Sequence, residues 1–252
     1  MSLLKKIHPE QPLKELRWFD IGIVTLIMFG QFIVRSTQMY LASLSPSLST
    51  AISETSTNTA SEGAAYSSNF TLQIILLALA IIYLWIRHFD FKQLPIRLKW
   101  SVFFWVPFIF AIMGLFADMV STLSGQYNYF SPQVLAFISP MAVIDKFMAL
   151  SPMAIAYGLL NGFYEEFFFL GLLTSVKDKY KWLVLLFSTI VRVSFHTYQG
   201  MLWALVIGVV FGLLYYFLYK YKVKNLLPFF LVHALADMFG SSLIYLLVNW
   251  NY

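Results

Sequence analysis

The 252-residue sequence has no cysteine, which rules out a disulfide framework, a thiolate nucleophile and a thiolate metal site. It is nearly as poor in charge: Asp, Glu, Lys and Arg make up 12% of it, against about a quarter in a soluble domain. So little charge cannot cover the surface of a water-soluble domain of this length. Internal repeats are missing too, which counts against a transporter built from two similar halves. What the chain has instead is apolar bulk, with 60% hydrophobic and 19% aromatic residues and a mean hydropathy of +0.72. This is the composition of a multi-pass membrane protein.

Apolar stretches long enough to cross a bilayer, about 20 residues each, fall at 19–43, 71–88, 100–122, 152–176, 182–199, 201–219 and 226–248. A weaker stretch at 132–150 is broken by Pro132, Pro140, Asp145 and Lys146, and reads as a short span, a re-entrant piece or an interfacial helix. The expected fold is all-α: a polytopic helix bundle of seven to eight transmembrane helices in one integral domain. Residues 1–130 form its N-terminal part and 131–252 its core. The Ser/Thr-rich stretch 43–69 reads as a flexible external loop.

The cations support the layout. Fourteen of the 17 Lys and Arg residues cluster at 5–17, 87–99, 177–181 and 220–224. All of these lie on one side if the spans alternate. The positive-inside rule puts that side, and the N-terminus, in the cytoplasm. The basic balance is thus a topology signal, and no nucleic-acid partner is expected.

Asp118, Glu165, Glu166, His196, His233 and Asp237 lie within the spans. Ionisable groups at membrane depth are rare and tend to face a bundle interior or a wet cavity. Counted at about 1.5 Å per residue from the flanking lysines, Glu165, His196, His233 and Asp237 reach similar levels, roughly 14 to 22 Å in. Asn161 and Glu165, Arg192 and His196, and His233 and Asp237 are each spaced i,i+4 and share a helix face. Glu165 and Glu166 are adjacent, about 100° apart on a helix. The expectation is that one faces a reaction centre and the other a supporting partner, since both cannot point at one target.

Glu165-Glu166, then His196, then His233-Ala-Leu-Ala-Asp237 resemble the motifs of the CPBP intramembrane proteases: EExxxR, FxxxH and HxxxN/D on successive helices. That family includes Rce1-type CAAX proteases and bacterial Abi proteins linked to bacteriocin processing and immunity. The resemblance covers roughly residues 130–248. Two positions depart from it: Leu170 stands where the family has arginine, and Arg192 where it has phenylalanine. Arg192 is expected to supply the counter-charge for Glu166 that Leu170 cannot.

The resemblance implies an endopeptidase of the cell membrane, bacterial in origin, acting on a peptide or lipidated protein. Glu165 would be the general base, His196 would hold and polarise water, and His233 with Asp237 would line the oxyanion region. Asn161, Glu166 and Arg192 would support them. No cofactor is favoured. Zinc on Glu165, His196, His233 and Asp237 is the alternative, although no HExxH helix is present. Two readings compete with the enzyme: a catalytically idle immunity or scaffold protein of the same family, and a proton-coupled transporter. Gly208 and Gly212 form a small-xxx-small pattern suited to close helix packing, and the Phe167–Phe169 run reads as packing.

Overall fold

The computed structural model describes residues 11–44 and 62–249. Every regular element among them is helical, with two isolated β-bridges, Leu13–Phe89 and Ile138–Val248. In chain order the helices are α1 Trp18–Ser43, α2 Glu62–Ile86, α3 Trp100–Leu123, α4 Pro132–Leu135, α5 Met141–Ala149 and α6 Pro152–Glu166. They continue with α7 Lys181–His196, α8 Met201–Val223, α9 Leu227–Phe239 and α10 Leu243–Leu247. A π-helical turn, Phe167–Leu172, follows α6. Helix α2 begins inside the expected external loop: residues 62–69 are helical, while 45–61, like Lys5 and Lys6, lie outside the described residues.

Among the described residues, α1, α3, α8 and the Ala65–Ile86 part of α2 are long and apolar enough to cross a membrane. The α5–α6 pair joins them if taken as one broken span. That pair is bent by 100°. Pro152 opens α6, and the residue before a proline avoids the helical region, which breaks the chain between α5 and α6. The stretch 132–150 is two short helices, Pro132–Leu135 and Met141–Ala149, the second opening after Pro140, instead of a straight crossing. The expected span 226–248 is also two helices. Helix α9 stops at Phe239, Gly240 turns the chain with φ +78°, and Ser242 caps α10 through a bond from Tyr245 N at 2.9 Å. Helices α7 and α9, with 16 and 13 residues, are roughly 24 and 20 Å long. Both fall short of a hydrocarbon core about 30 Å thick.

The chain forms two compact units. The first contains residues 1–95 and 167–226, with α1, α2, the π turn, α7 and α8. Phe29 of α1 meets Phe168, Phe169 and Phe195 at ring separations of 4.8, 5.1 and 4.9 Å, so the phenylalanine run is packing. Asp20 and Arg87 are both buried here. Asp20 Oδ1 accepts from Arg87 Nε at 2.6 Å and Tyr83 Oη at 2.7 Å, and Oδ2 accepts from Arg17 N at 3.0 Å. Arg87, counted among the cytoplasmic cations, is thus a buried structural partner. Helices α7 and α8 touch where α8 has no side chain: a methyl carbon at Gly208 would stand 2.8 Å from Val193 N. The small-xxx-small pattern therefore serves packing within the chain.

The second unit contains residues 96–166 and 227–252, with α3 to α6, α9 and α10. Its largest helix contact is α6 on α9. A methyl carbon at Gly162 would stand 2.8 Å from Ala234 N, and one at Gly158 3.1 Å from the Met238 side chain. Asp118 of α3 accepts from Ile244 N at 2.9 Å and from Ser242 Oγ. The carboxylate thus satisfies the first turn of α10 and pins the chain after the Gly240 turn.

Candidate active site

Helix α6 carries Asn161, Glu165 and Glu166, and α9 carries His233 and Asp237. The glycine contact lets the two backbones approach closely enough for short polar side chains to meet between them. His233 Nδ1 lies 2.8 Å from Glu166 Oε1, a hydrogen bond between helices. Its other nitrogen, Nε2, lies 3.6 Å from Glu165 Oε2 and 3.8 Å from Asp237 Oδ1, both beyond direct bonding. Asn161 Nδ2 donates to Glu165 Oε1 at 3.2 Å and to Asp237 Oδ2 at 2.8 Å, tying the two carboxylates to one amide.

The adjacent glutamates therefore do address one target, contrary to the sequence expectation. An imidazole has nitrogens on two edges, so carboxylates 100° apart on a helix can bracket it. The orienting contact to His233 comes from Glu166, while Asp237 is fixed by Asn161. Side-chain exposure rises from 0% at Glu166 through 6% at Glu165 and 12% at His233 to 25% at Asp237. Glu166 is the floor of the cluster and Asp237 its open side.

His196 and Arg192 belong to the first unit, at the C-terminal end of α7. His196 is buried, and its Nδ1 donates to Arg192 O at 2.8 Å, which leaves Nε2 as the acceptor in the neutral ring. A turn at Thr197–Gln199 follows, held to α1 by Ser36 Oγ, which lies 2.9 Å from Thr197 Oγ1 and accepts from Tyr198 N at 2.9 Å. The Arg192 guanidinium is buried over the Phe169 ring, 3.9 Å from its centroid. Its stem passes Gly212, where a methyl carbon would stand 3.3 Å from Cδ. Leu170 is buried in the π turn.

Glu165, Glu166 and His233 each offer a ligand atom, all within 4.8 Å of one another. Two ligands of a tetrahedral zinc stand about 3.4 Å apart. The separations from His233 Nε2 to Glu165 Oε2 (3.6 Å) and Asp237 Oδ1 (3.8 Å) are near that value. The 2.8 Å contact of Glu166 with Nδ1 suits the outer partner of a ligating histidine. These ligand atoms could hold a metal ion.

Residues 147–239 match the family model described as type II CAAX prenyl endopeptidase Rce1-like. This segment is Rce1-like. It contains the seven candidate site residues Asn161, Glu165, Glu166, Arg192, His196, His233 and Asp237, on α6, α7 and α9, but not Asp118. No curated protein and no solved structure matches the chain. The apolar helices and the Rce1-like match together support a multi-pass membrane protein, and nothing found extends to bacteriocin immunity. Sequence reasoning missed Gly158 and Gly162, although Gly158-Leu-Leu-Asn-Gly162 carries the same small-xxx-small signal as Gly208 and Gly212. It also missed the Asp20–Arg87 pair, which no local pattern announces.

Proposed function

We propose that this chain is an intramembrane endopeptidase that hydrolyses a peptide bond of a membrane-associated or lipidated substrate, with Glu165 activating the water. The observation that carries the reading is the pair of glutamates on the two edges of His233. If the Glu166–His233 pair shares two protons, Nε2 carries a hydrogen whichever side of Nδ1 the bridging proton sits. That N–H can donate to a carbonyl oxygen as negative charge develops. Glu165, its Oε1 held by Asn161, takes the proton of the attacking water and passes it to the departing amine. His196, whose Nδ1 donates to Arg192 O, takes the water-holding role that the family resemblance implies. Asp237 lines the substrate side, and donates to the carbonyl only when protonated.

Zinc is the second reading. Glu165, His233 and Asp237 would hold it, Glu166 would fix the ring, and the ion would supply a polarised water. Metal analysis of the purified protein and the effect of a chelator separate the two, with activity expected to survive chelation. Arg192 adds counter-charge for Glu166; Leu170→Arg is expected to restore what Arg192→Phe loses. The N-terminus faces the cytoplasm. Because the chain lacks cysteine, single cysteines at Lys177 and Ser124 should label from opposite faces.

The decisive test is Glu165→Gln, assayed on a farnesylated CAAX-ended peptide and by comparing membrane peptidomes. Loss of cleavage by about 10²- to 10⁴-fold with normal accumulation supports the base. Unchanged phenotype and unchanged peptides would leave the idle scaffold.

A further inference from the structure

Away from the glutamates, the first unit holds a cavity of about 310 Å³ bordered by Lys14, Glu15, Gln93, Thr174, Lys220 and Lys224. These residues come from the segments just before α1, after α2, after the π turn and at the end of α8. The ends of three membrane-length helices meet here. Three lysines face one glutamate. The Thr174 hydroxyl already donates to Leu170 O. Gln93 Nε2, in contrast, is buried with no hydrogen-bond partner among the described residues.

Lys224 adds a second kind of observation. Its backbone is left-handed, with φ +48° and ψ +37°, at the end of α8. Glycine or asparagine usually closes a helix in that conformation, because a side chain is strained there. Lysine occupies a strained position and puts its charge on the cavity.

We propose that this cavity binds a phosphate-bearing anion, either the headgroup of an acidic phospholipid or free phosphate. Basic recesses between helix ends on the cytoplasmic side suit such groups, and the volume lies at the small end of ligand sites. Lys14, Lys224 and the Gln93 amide supply donors, while Lys220 is drawn toward Asp178 at 3.3 Å. Glu15 can accept from a headgroup hydroxyl, which makes phosphatidylglycerol the probe of choice.

The full chain in detergent is tested with phosphatidylglycerol, phosphatidylcholine and inorganic phosphate. Retained lipid is read by native mass spectrometry and stabilisation by Tm. Phosphatidylglycerol should be retained in preference to phosphatidylcholine, about fivefold more weakly in Lys14→Gln and again in Lys224→Gly. Lys222→Gln, an exposed lysine off the cavity, should bind as the wild type does. Lys224→Gly should keep the unliganded Tm, since glycine takes the left-handed backbone without strain, so lost binding there is not lost folding. If inorganic phosphate displaces the lipid and raises Tm alone, the site is a free-phosphate site. Equal retention of both lipids, no response to either phosphate source, or a Lys222→Gln loss matching that of the cavity lysines overturns the proposal.

Discussion

Asp20 and Glu166 are both fully buried carboxylates on helices of a membrane protein, but their surroundings differ. Asp20 meets one guanidinium, one phenol and one backbone amide, all within 3.0 Å, so its charge is matched and its oxygens are occupied. Glu166 shares a single imidazole with two further carboxylates, and His233 Nε2 stops 3.6 and 3.8 Å short of them. The first arrangement is complete as it stands. The second sets three carboxylates around one imidazole, with two of the contacts longer than a hydrogen bond. A buried acid with its own cation is a brace, while several acids around one proton carrier suit chemistry.

Removing the cation from the brace gives the largest effect. Arg87→Met should cost about 3–5 kcal/mol of stability by stranding the Asp20 charge, read as a fall in Tm in detergent. The fraction that stays folded should cleave at the wild-type rate. Asp20→Asn combined with Arg87→Met should recover much of the loss. If Arg87→Met lowered turnover at unchanged Tm, the contrast between the clusters would fail.

Glu166→Gln probes the other cluster. Glutamine can still accept from His233 Nδ1 but cannot share its proton, so kcat should fall about 10- to 100-fold, with Tm nearly unchanged. A large Tm loss with normal turnover per folded molecule would make Glu166 a brace like Asp20.

The contrast also explains what could be read from the sequence. The carboxylate–imidazole cluster could be sought in the sequence because such groups at membrane depth are rare and their i,i+4 spacing assigns faces. Asn161–Glu165 and His233–Asp237 both share a face as that spacing requires. The brace was not legible, because Asp20 and Arg87 sit at helix ends where charges are ordinary. Only the fold joins positions 67 residues apart. Helix endings were misread for a related reason. Hydropathy runs unbroken through Gly240 and Ser242, while the buried Asp118 that caps α10 lies 126 residues from Ile244.

Glycine substitutions separate the units at a smaller scale. Gly162→Ala would press a methyl group into the α9 backbone and should cost about 1–3 kcal/mol, together with activity, since that contact sets the glutamates against His233. Gly22→Ala meets nothing within 4 Å. It should be neutral or stabilising by up to about 1 kcal/mol through helix propensity. Equal losses in both would show that the α6–α9 approach is not special.

The smallest effect belongs to an exposed carboxylate. Asp178 is held below the usual carboxylate range by its bond from Lys220, at 3.3 Å, and by the charge of Lys181, at 3.5 Å. A depressed carboxylate contributes stability above its unfolded pKa of about 3.9 and loses it as pH falls through the lower folded value. Asp178→Asn should therefore lower Tm slightly at neutral pH in low salt. The difference from wild type should shrink as pH falls through the depressed folded value, and in about 1 M salt, which screens the pair. A gap that persisted in about 1 M salt would trace the loss to packing instead of charge. An exposed acid would then be bracing the fold in the way the buried Asp20 does.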